Sequence, residues 1–222
     1  MTASTVTELA GVPDTVPLPP EGAVPTMRAV APPPVARRPG RTRGYWGVLS
    51  LIATEATLFT GLLATYYFLR ASSPVWPQGG IKPPELTTIS VFSAILIGSS
   101  LPVLVAESAI KRGNARAMRV GLALAFLMGS AFLAHEGYEW SHLEFNWTRN
   151  AYTSIFYATT GLHGMHVLIG LLVNLQVQVK SWMGKIDREH HVSMEIFGLY
   201  WHFVDVVWIF VFSSLYLSEH IR

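Results

Sequence analysis

The chain has 222 residues, half of them hydrophobic and only 14% charged, with a mean hydropathy of +0.36, which is too apolar for an ordinary soluble domain and points to the membrane as solvent. A net charge of +2 argues against nucleic acid as a partner. The absence of cysteine excludes disulfide scaffolds, Cys-based zinc sites, iron–sulfur clusters and thiol catalysis, so any metal would need His and carboxylates.

In chain order, residues 1–43 are rich in Pro, Ala, Thr and Val, as at Pro32-Pro33-Pro34, without a sustained apolar period. This composition predicts a disordered, polyproline-like tail rather than a cleaved leader. It ends on the basic run Arg37, Arg38, Arg41 and Arg43. From residue 44 onward, a bilayer core about 30 Å thick calls for roughly 20 apolar residues per helix. Five segments qualify, at about 46–69, 88–110, 118–138, 152–179 and 196–217. The third is short unless it runs on towards Trp140. The expected fold is therefore all-α, a five-helix transmembrane bundle. Loops fall where turn residues and charges cluster, at Ser72-Ser73-Pro74 to Pro83-Pro84, Lys111 to Asn114, His142 to Asn150 and Ser181 to His191.

Lys and Arg mark the cytoplasmic side of a multi-pass protein. One side collects Arg28, Arg37, Arg38, Arg41, Arg43, Lys111, Arg112, Arg116, Arg119, Lys180, Lys185 and Arg188, and the other only Arg70, Lys82, Arg149 and Arg222. The expected orientation is N-terminus in, C-terminus out. Trp76, Trp140, Trp147 and Tyr152 supply an aromatic belt on the outer side.

Several polar residues lie inside the spans. Glu55 sits nine residues into the first, roughly 14 Å deep at about 1.5 Å per residue. An ionised carboxylate there costs about 2.5–3.5 kcal/mol on insertion scales, so it is protonated or partnered. It reads as a proton-exchanging or lipid-contacting acid, or as a neutral carboxyl bonded to a neighbouring helix. His163 and His166 lie three apart beside Gly161 and Gly164, which fits either metal ligation, with His135 and His202 as further imidazoles, or interhelical hydrogen bonding at a close helix approach. In the last span Asp205 follows His202 by one turn, so the two can pair. At the outer end of the third span, His135, Glu136, Glu139 and Trp140 read as a solvated helix end or as a lipid or partner contact. His190-His191 ahead of Glu195 fit a proton antenna or a wetted loop.

Tyr200-Trp201-His202-Phe203-Val204-Asp205-Val206-Val207-Trp208 resembles the signature of cytochrome c oxidase subunit III. Ala158 to Val167, which contains Gly161-Leu162-His163-Gly164-Met165-His166, is similar to a second hallmark of that family, and Tyr138-Glu139-Trp140 to a third. Thr54-Glu55 with Leu58-Phe59 resembles the first-helix motif, whose membrane-embedded Glu is the family's carbodiimide-reactive carboxylate, and His190-His191 followed by Glu195 has the family's spacing. The resemblance covers Gly44 to Leu217. Three features depart from the wider family. The Pro-rich tail stands in place of the amino-terminal helix pair of larger members, giving the five-helix bacterial form. Glu136 stands where many relatives have Gln. Lys180 stands where a lipid phosphate is held, as a point charge rather than a planar fork.

The resemblance implies a non-catalytic subunit of a proton-pumping haem–copper terminal oxidase in the bacterial cell membrane. No catalytic, cofactor-binding or metal residue is then expected in this chain, because haem and copper reside in partner subunits. The implied partners are subunit I directly, subunit II, structural phospholipid and, at a further remove, a respiratory supercomplex. Glu55, His163, Glu139 and Lys180 become the lipid or proton-linked positions, His166, Tyr200, Trp201, His202 and Asp205 the buried scaffold, and His190 and His191 the antenna. The rival readings are a quinol-oxidase or nitric-oxide-reductase-associated homologue and, from another class, a free-standing b-type cytochrome using the intramembrane histidines.

Overall fold

Hydrocarbon offers no hydrogen bonds, so a chain that crosses it must satisfy each backbone N–H and C=O internally, and apolar segments of this length become helices. The computed structural model describes residues 43–82 and 84–220. The expected tail, with Arg28, Arg37, Arg38 and Arg41, and Arg222 at the other end, lie outside the described residues. The helices are α1 (Arg43–Ser72), α2 (Leu86–Gly98), α3 (Ser100–Lys111), α4 (Ala115–His142), α5 (Ala151–Trp182), α6 (Val192–Phe212) and a terminal turn α7 (Ser218–His220). A π-helical turn, Ser213–Leu217, joins α6 to α7, and a 3-10 turn, Gln78–Gly80, lies in the loop after α1. Among the described residues five spans result: α1, α2 with α3, α4, α5, and α6 with its extension.

The spans overrun the expected apolar segments because helices continue into the interface until a cap stops them. The third span reaches His142 rather than residue 138. Asn114 starts α4 by accepting from Ala117 N at 3.0 Å, and Asn150 starts α5 through a reciprocal capping box with Thr153. Gly113 and Gly184, at φ 78° and 70°, take the left-handed conformation that ends α3 and α5. Within the second span, Pro102 has no N–H to offer the Gly98 carbonyl, and the helix breaks at Ser99 into α2 and α3.

Packing is unequal across the bundle. The apolar window of α5 is 56% buried and that of α6 50%, against 6% for α1. The centre is aromatic, with Trp201, Trp208, Tyr152, Tyr216, Phe132 and Phe156 among the largest enclosed side chains. Small residues admit them. A Cβ on Gly129 or Gly170 would come 2.7 Å from the Trp201 ring, so those glycines seat that indole between α4, α5 and α6. Gly121 does the same for backbone, since its Cβ would lie 2.5 Å from the Pro102 carbonyl oxygen.

The two ends of the bundle differ in chemistry. The end carrying the 112–114 and 183–191 turns is the basic end. At the other, Arg70 of α1 pairs with Glu219 at 3.3 Å, Tyr66 donates to the same carboxylate and the Trp76 indole N–H reaches it at 3.1 Å. The π turn directs Ser214 towards Tyr67 of α1, at 2.9 Å, while Tyr216 faces α4.

Candidate functional site

The membrane-embedded acid of α1 meets α5 rather than water. Glu55 Oε2 lies 3.1 Å from His166 Nε2, with side chains 25% and 6% exposed. The other ring nitrogen, Nδ1, donates to the Leu162 carbonyl at 2.7 Å. A carbonyl only accepts, so Nδ1 is the protonated nitrogen of the neutral ring and Nε2 is then an acceptor. The Glu55–His166 contact therefore holds one proton, carried either as Glu55 O–H donating to Nε2 or as an imidazolium donating to a carboxylate. In both forms the pair is neutral as a whole, which is how an acid is kept near the membrane midplane. Phe59 packs edge-on to His166, with ring centroids 5.2 Å apart, and closes one side. A quarter of the Glu55 side chain remains exposed on α1.

His163 lies elsewhere. It is fully buried, stacked on Trp208 with centroids 4.5 Å apart and edged by Phe132 and Phe59. Neither ring nitrogen has a hydrogen-bond partner. Of the two roles expected of His163, lipid-linked or proton-linked, this enclosure leaves no surface for direct lipid contact. Nor do the two histidines act as one face: His166 turns to α1 while His163 turns to α6. With both of its nitrogens engaged, His166 is not free to serve as an axial ligand. Among the described residues, no group of three or more His, Asp or Glu side chains is placed to hold a metal ion.

The acids of α4 also correct an expectation, since they do not form a solvated helix end. Glu136 is only 3% exposed. Its carboxyl rests on Gly164, where a Cβ would fall 2.5 Å from Oε2, and the Trp140 ring rests on Gly161. The two glycines of the second hallmark thus receive two side chains one turn apart on α4. Glu139 accepts from Tyr216 O–H at 3.2 Å, and the His135 ring stacks on Phe92 at 4.1 Å.

In α6 the polar residues of the signature are matched by serines of the second span. Trp201 Nε1 donates to Ser99 Oγ at 2.8 Å and Trp208 Nε1 to Ser93 Oγ at 2.9 Å. His202 and Asp205 do not pair directly as expected. Ser100 Oγ stands between them, 2.9 Å from His202 Nδ1 and donating to Asp205 Oδ2 at 2.5 Å. Tyr200 O–H donates to the His166 carbonyl at 3.1 Å. Tyr200, Trp201 and Asp205 are buried, whereas His202 is half-buried. Ser93, Ser99 and Ser100 were missed by sequence reasoning, although small polar residues in an apolar span were the available signal.

At the basic end, Lys180 is exposed, with Ser193 Oγ at 3.4 Å from its ammonium. Glu195 lies 3.2 Å from His191 Nε2 and 3.8 Å from Lys111 Nζ. His190 is exposed beside Asp187, at 3.1 Å. The backbone N–H of His190, donated to Asp187 at 2.7 Å, holds that carboxyl below the usual carboxylate range. Arg119 donates to Ser181 Oγ and its carbonyl and lies over the Trp182 ring, fixing the end of α5.

The model of the family described as cytochrome c oxidase subunit III matches residues 41–219. The chain is 38% identical over 188 residues to cytochrome c oxidase subunit 3 of Synechocystis sp., covering 81% of each. It is 36% identical over 172 residues to that of Thermostichus vulcanus, covering 77% of this chain and 85% of the relative. To the probable cytochrome c oxidase subunit 3 of Nocardia farcinica it is 33% identical over 178 residues, with the same coverage.

Proposed function

This chain belongs to the cytochrome c oxidase subunit III family, and we propose that it serves as the non-catalytic third subunit of a proton-pumping haem–copper terminal oxidase that takes electrons from cytochrome c. It lies in the bacterial cell membrane with the basic end in the cytoplasm, as the excess of Lys and Arg there supports. It packs against the catalytic subunit, which with its copper-bearing partner carries the redox chemistry, and joins whatever larger respiratory assembly they form. Its own contribution is to hold structural phospholipid beside α1 and to sustain proton uptake by the catalytic subunit.

The observation that carries this reading is the Glu55–His166 pair. It stores one exchangeable proton on the most lipid-exposed helix of the bundle, where a redox centre would have no use for it. Leu51, Leu58 and Phe68 leave a broad apolar face on α1 for acyl chains or a neighbouring subunit. Lys180, exposed at the basic end, supplies the cation for a lipid phosphate, and Glu139, bonded to Tyr216, braces the far end of α4. His190 and His191 lie where protons would be gathered from the cytoplasm.

The test compares Glu55→Gln and Glu55→Ala in the purified complex, reading carbodiimide labelling, bound phospholipid and turnover-dependent inactivation. Both variants should abolish labelling and hasten inactivation. Unchanged phospholipid and inactivation in both would remove the role assigned to Glu55. A Soret band persisting in the isolated polypeptide would overturn the non-catalytic reading altogether.

A further inference from the structure

Glu136 takes no part in the Glu55–His166 pair or in the serine contacts of α6. It and Trp140 lie one turn apart on α4, seated on Gly164 and Gly161 of α5. Between the two helices is a cleft of about 240 Å3 lined by these four residues together with Met165 and Leu168. Met165 and Leu168 are 48% and 46% exposed, so the cleft opens sideways to the hydrocarbon. Both carboxyl oxygens of Glu136 and the indole nitrogen of Trp140 are buried without a hydrogen-bond partner. Unpaired buried polar groups of this kind are costly, and both residues that carry them line this one cleft.

The chemistry of the cleft specifies its occupant. The acid calls for a donor and the indole N–H for an acceptor, and one hydroxyl is both. The rest of the lining is apolar or glycine, so the body of the ligand is hydrocarbon. No Lys, Arg or His lines the cleft, and an anionic phosphate beside Glu136 would meet no counter-charge. Glu136 lies six residues before the end of α4 at His142, about 9 Å along the axis, and a 28-residue helix centred in a bilayer about 40–45 Å thick overall puts that level just beneath the headgroups, near glycerol. We propose that this cleft binds a neutral glycerolipid with a free hydroxyl, of the diacylglycerol class. Its hydroxyl donates to Glu136, and its oxygens accept from Trp140 N–H. The site is separate from the Glu55 face and stands independently of the role given to Glu55.

The test uses the complete oxidase complex in zwitterionic phospholipid vesicles containing a diazirine-bearing diacylglycerol. After illumination, label should map to 133–140 and 161–168 and be displaced by unlabelled diacylglycerol but not by phosphatidylglycerol. Glu136→Leu should lower labelling about tenfold, the loss expected for one good hydrogen bond. Met165→Trp, which plugs the cleft from the lipid side without touching the α4–α5 contact at Glu136, should do likewise, and it keeps the test decisive if Glu136→Leu fails to assemble. Label insensitive to Met165→Trp, or displaced equally by phospholipid, would refute the site. So would displacement by an isoprenoid quinol in preference to diacylglycerol, or protection of these residues by a partner polypeptide.

Discussion

Two regions of this bundle pair an acid with a histidine inside the membrane, and they do it differently. On α1, Glu55 meets His166 directly, at 3.1 Å, with a quarter of the acid's side chain exposed. On α6, Asp205 and His202 meet only through the Ser100 hydroxyl, at a helix break that brings α3 against α6. A direct contact lets one proton occupy either base, whereas an interposed hydroxyl spends its only proton on Asp205 and its lone pair on His202. The same residue types thus give a proton shared across a direct contact in one place and a bridged tie between helices in the other.

The sharpest way to break this comparison is to attack the fixed region. Trp201→Ala removes a fully buried indole held by Gly129, Gly170 and Ser99, and should cost about 3–5 kcal/mol. Denaturant titration of the purified complex, followed by dissociation of this subunit, reads that loss. Ser100→Ala should cost less, about 1–3 kcal/mol, because it leaves the Asp205 carboxyl and the His202 ring unbridged. It should leave carbodiimide labelling of Glu55 as it was, and altered labelling would mean the two regions are coupled.

The direct pair should behave in the opposite way. Glu55→Gln keeps a hydrogen bond to His166 and should change stability by only about 0.6 kcal/mol, the average for polar contacts between membrane helices, while labelling disappears. A stability loss as large as that of Ser100→Ala would show that Glu55 is glue after all. The smallest effect belongs to the loop before α6. Asp187 is held below its usual range by the His190 amide, so its stabilising contribution is present above the unfolded-state value and fades as pH falls through the lower folded value. Asp187→Asn should flatten that acid-side portion of a stability–pH profile and leave the neutral range unchanged.

The difference between the regions was only half visible in the sequence. Spans, loops and the depth of Glu55 follow from hydropathy and helix rise, which are local properties. The partner of Glu55 was not legible. Residues three apart on a helix differ by about 60° in direction, enough, where three helices converge, for His166 to face α1 and His163 to face Trp208. The Ser100 bridge was hidden for a related reason. It depends on where the break before Pro102 places α3 against α6, and no spacing within α6 encodes that. Glu136 was misjudged because nearness to a helix end implies water only when no neighbouring glycine offers a berth, as Gly164 does.

The single proton of the Glu55–His166 contact also bears on how the site meets the membrane voltage. A full elementary charge crossing 100 mV does work of about 2.3 kcal/mol. A proton hopping across a 3.1 Å contact in a core about 30 Å thick traverses at most a tenth of that drop, worth about 0.2 kcal/mol. The position of that proton within the pair is therefore nearly blind to a membrane potential, whereas a proton arriving at the pair from water crosses about half of the drop, worth about 1 kcal/mol per 100 mV.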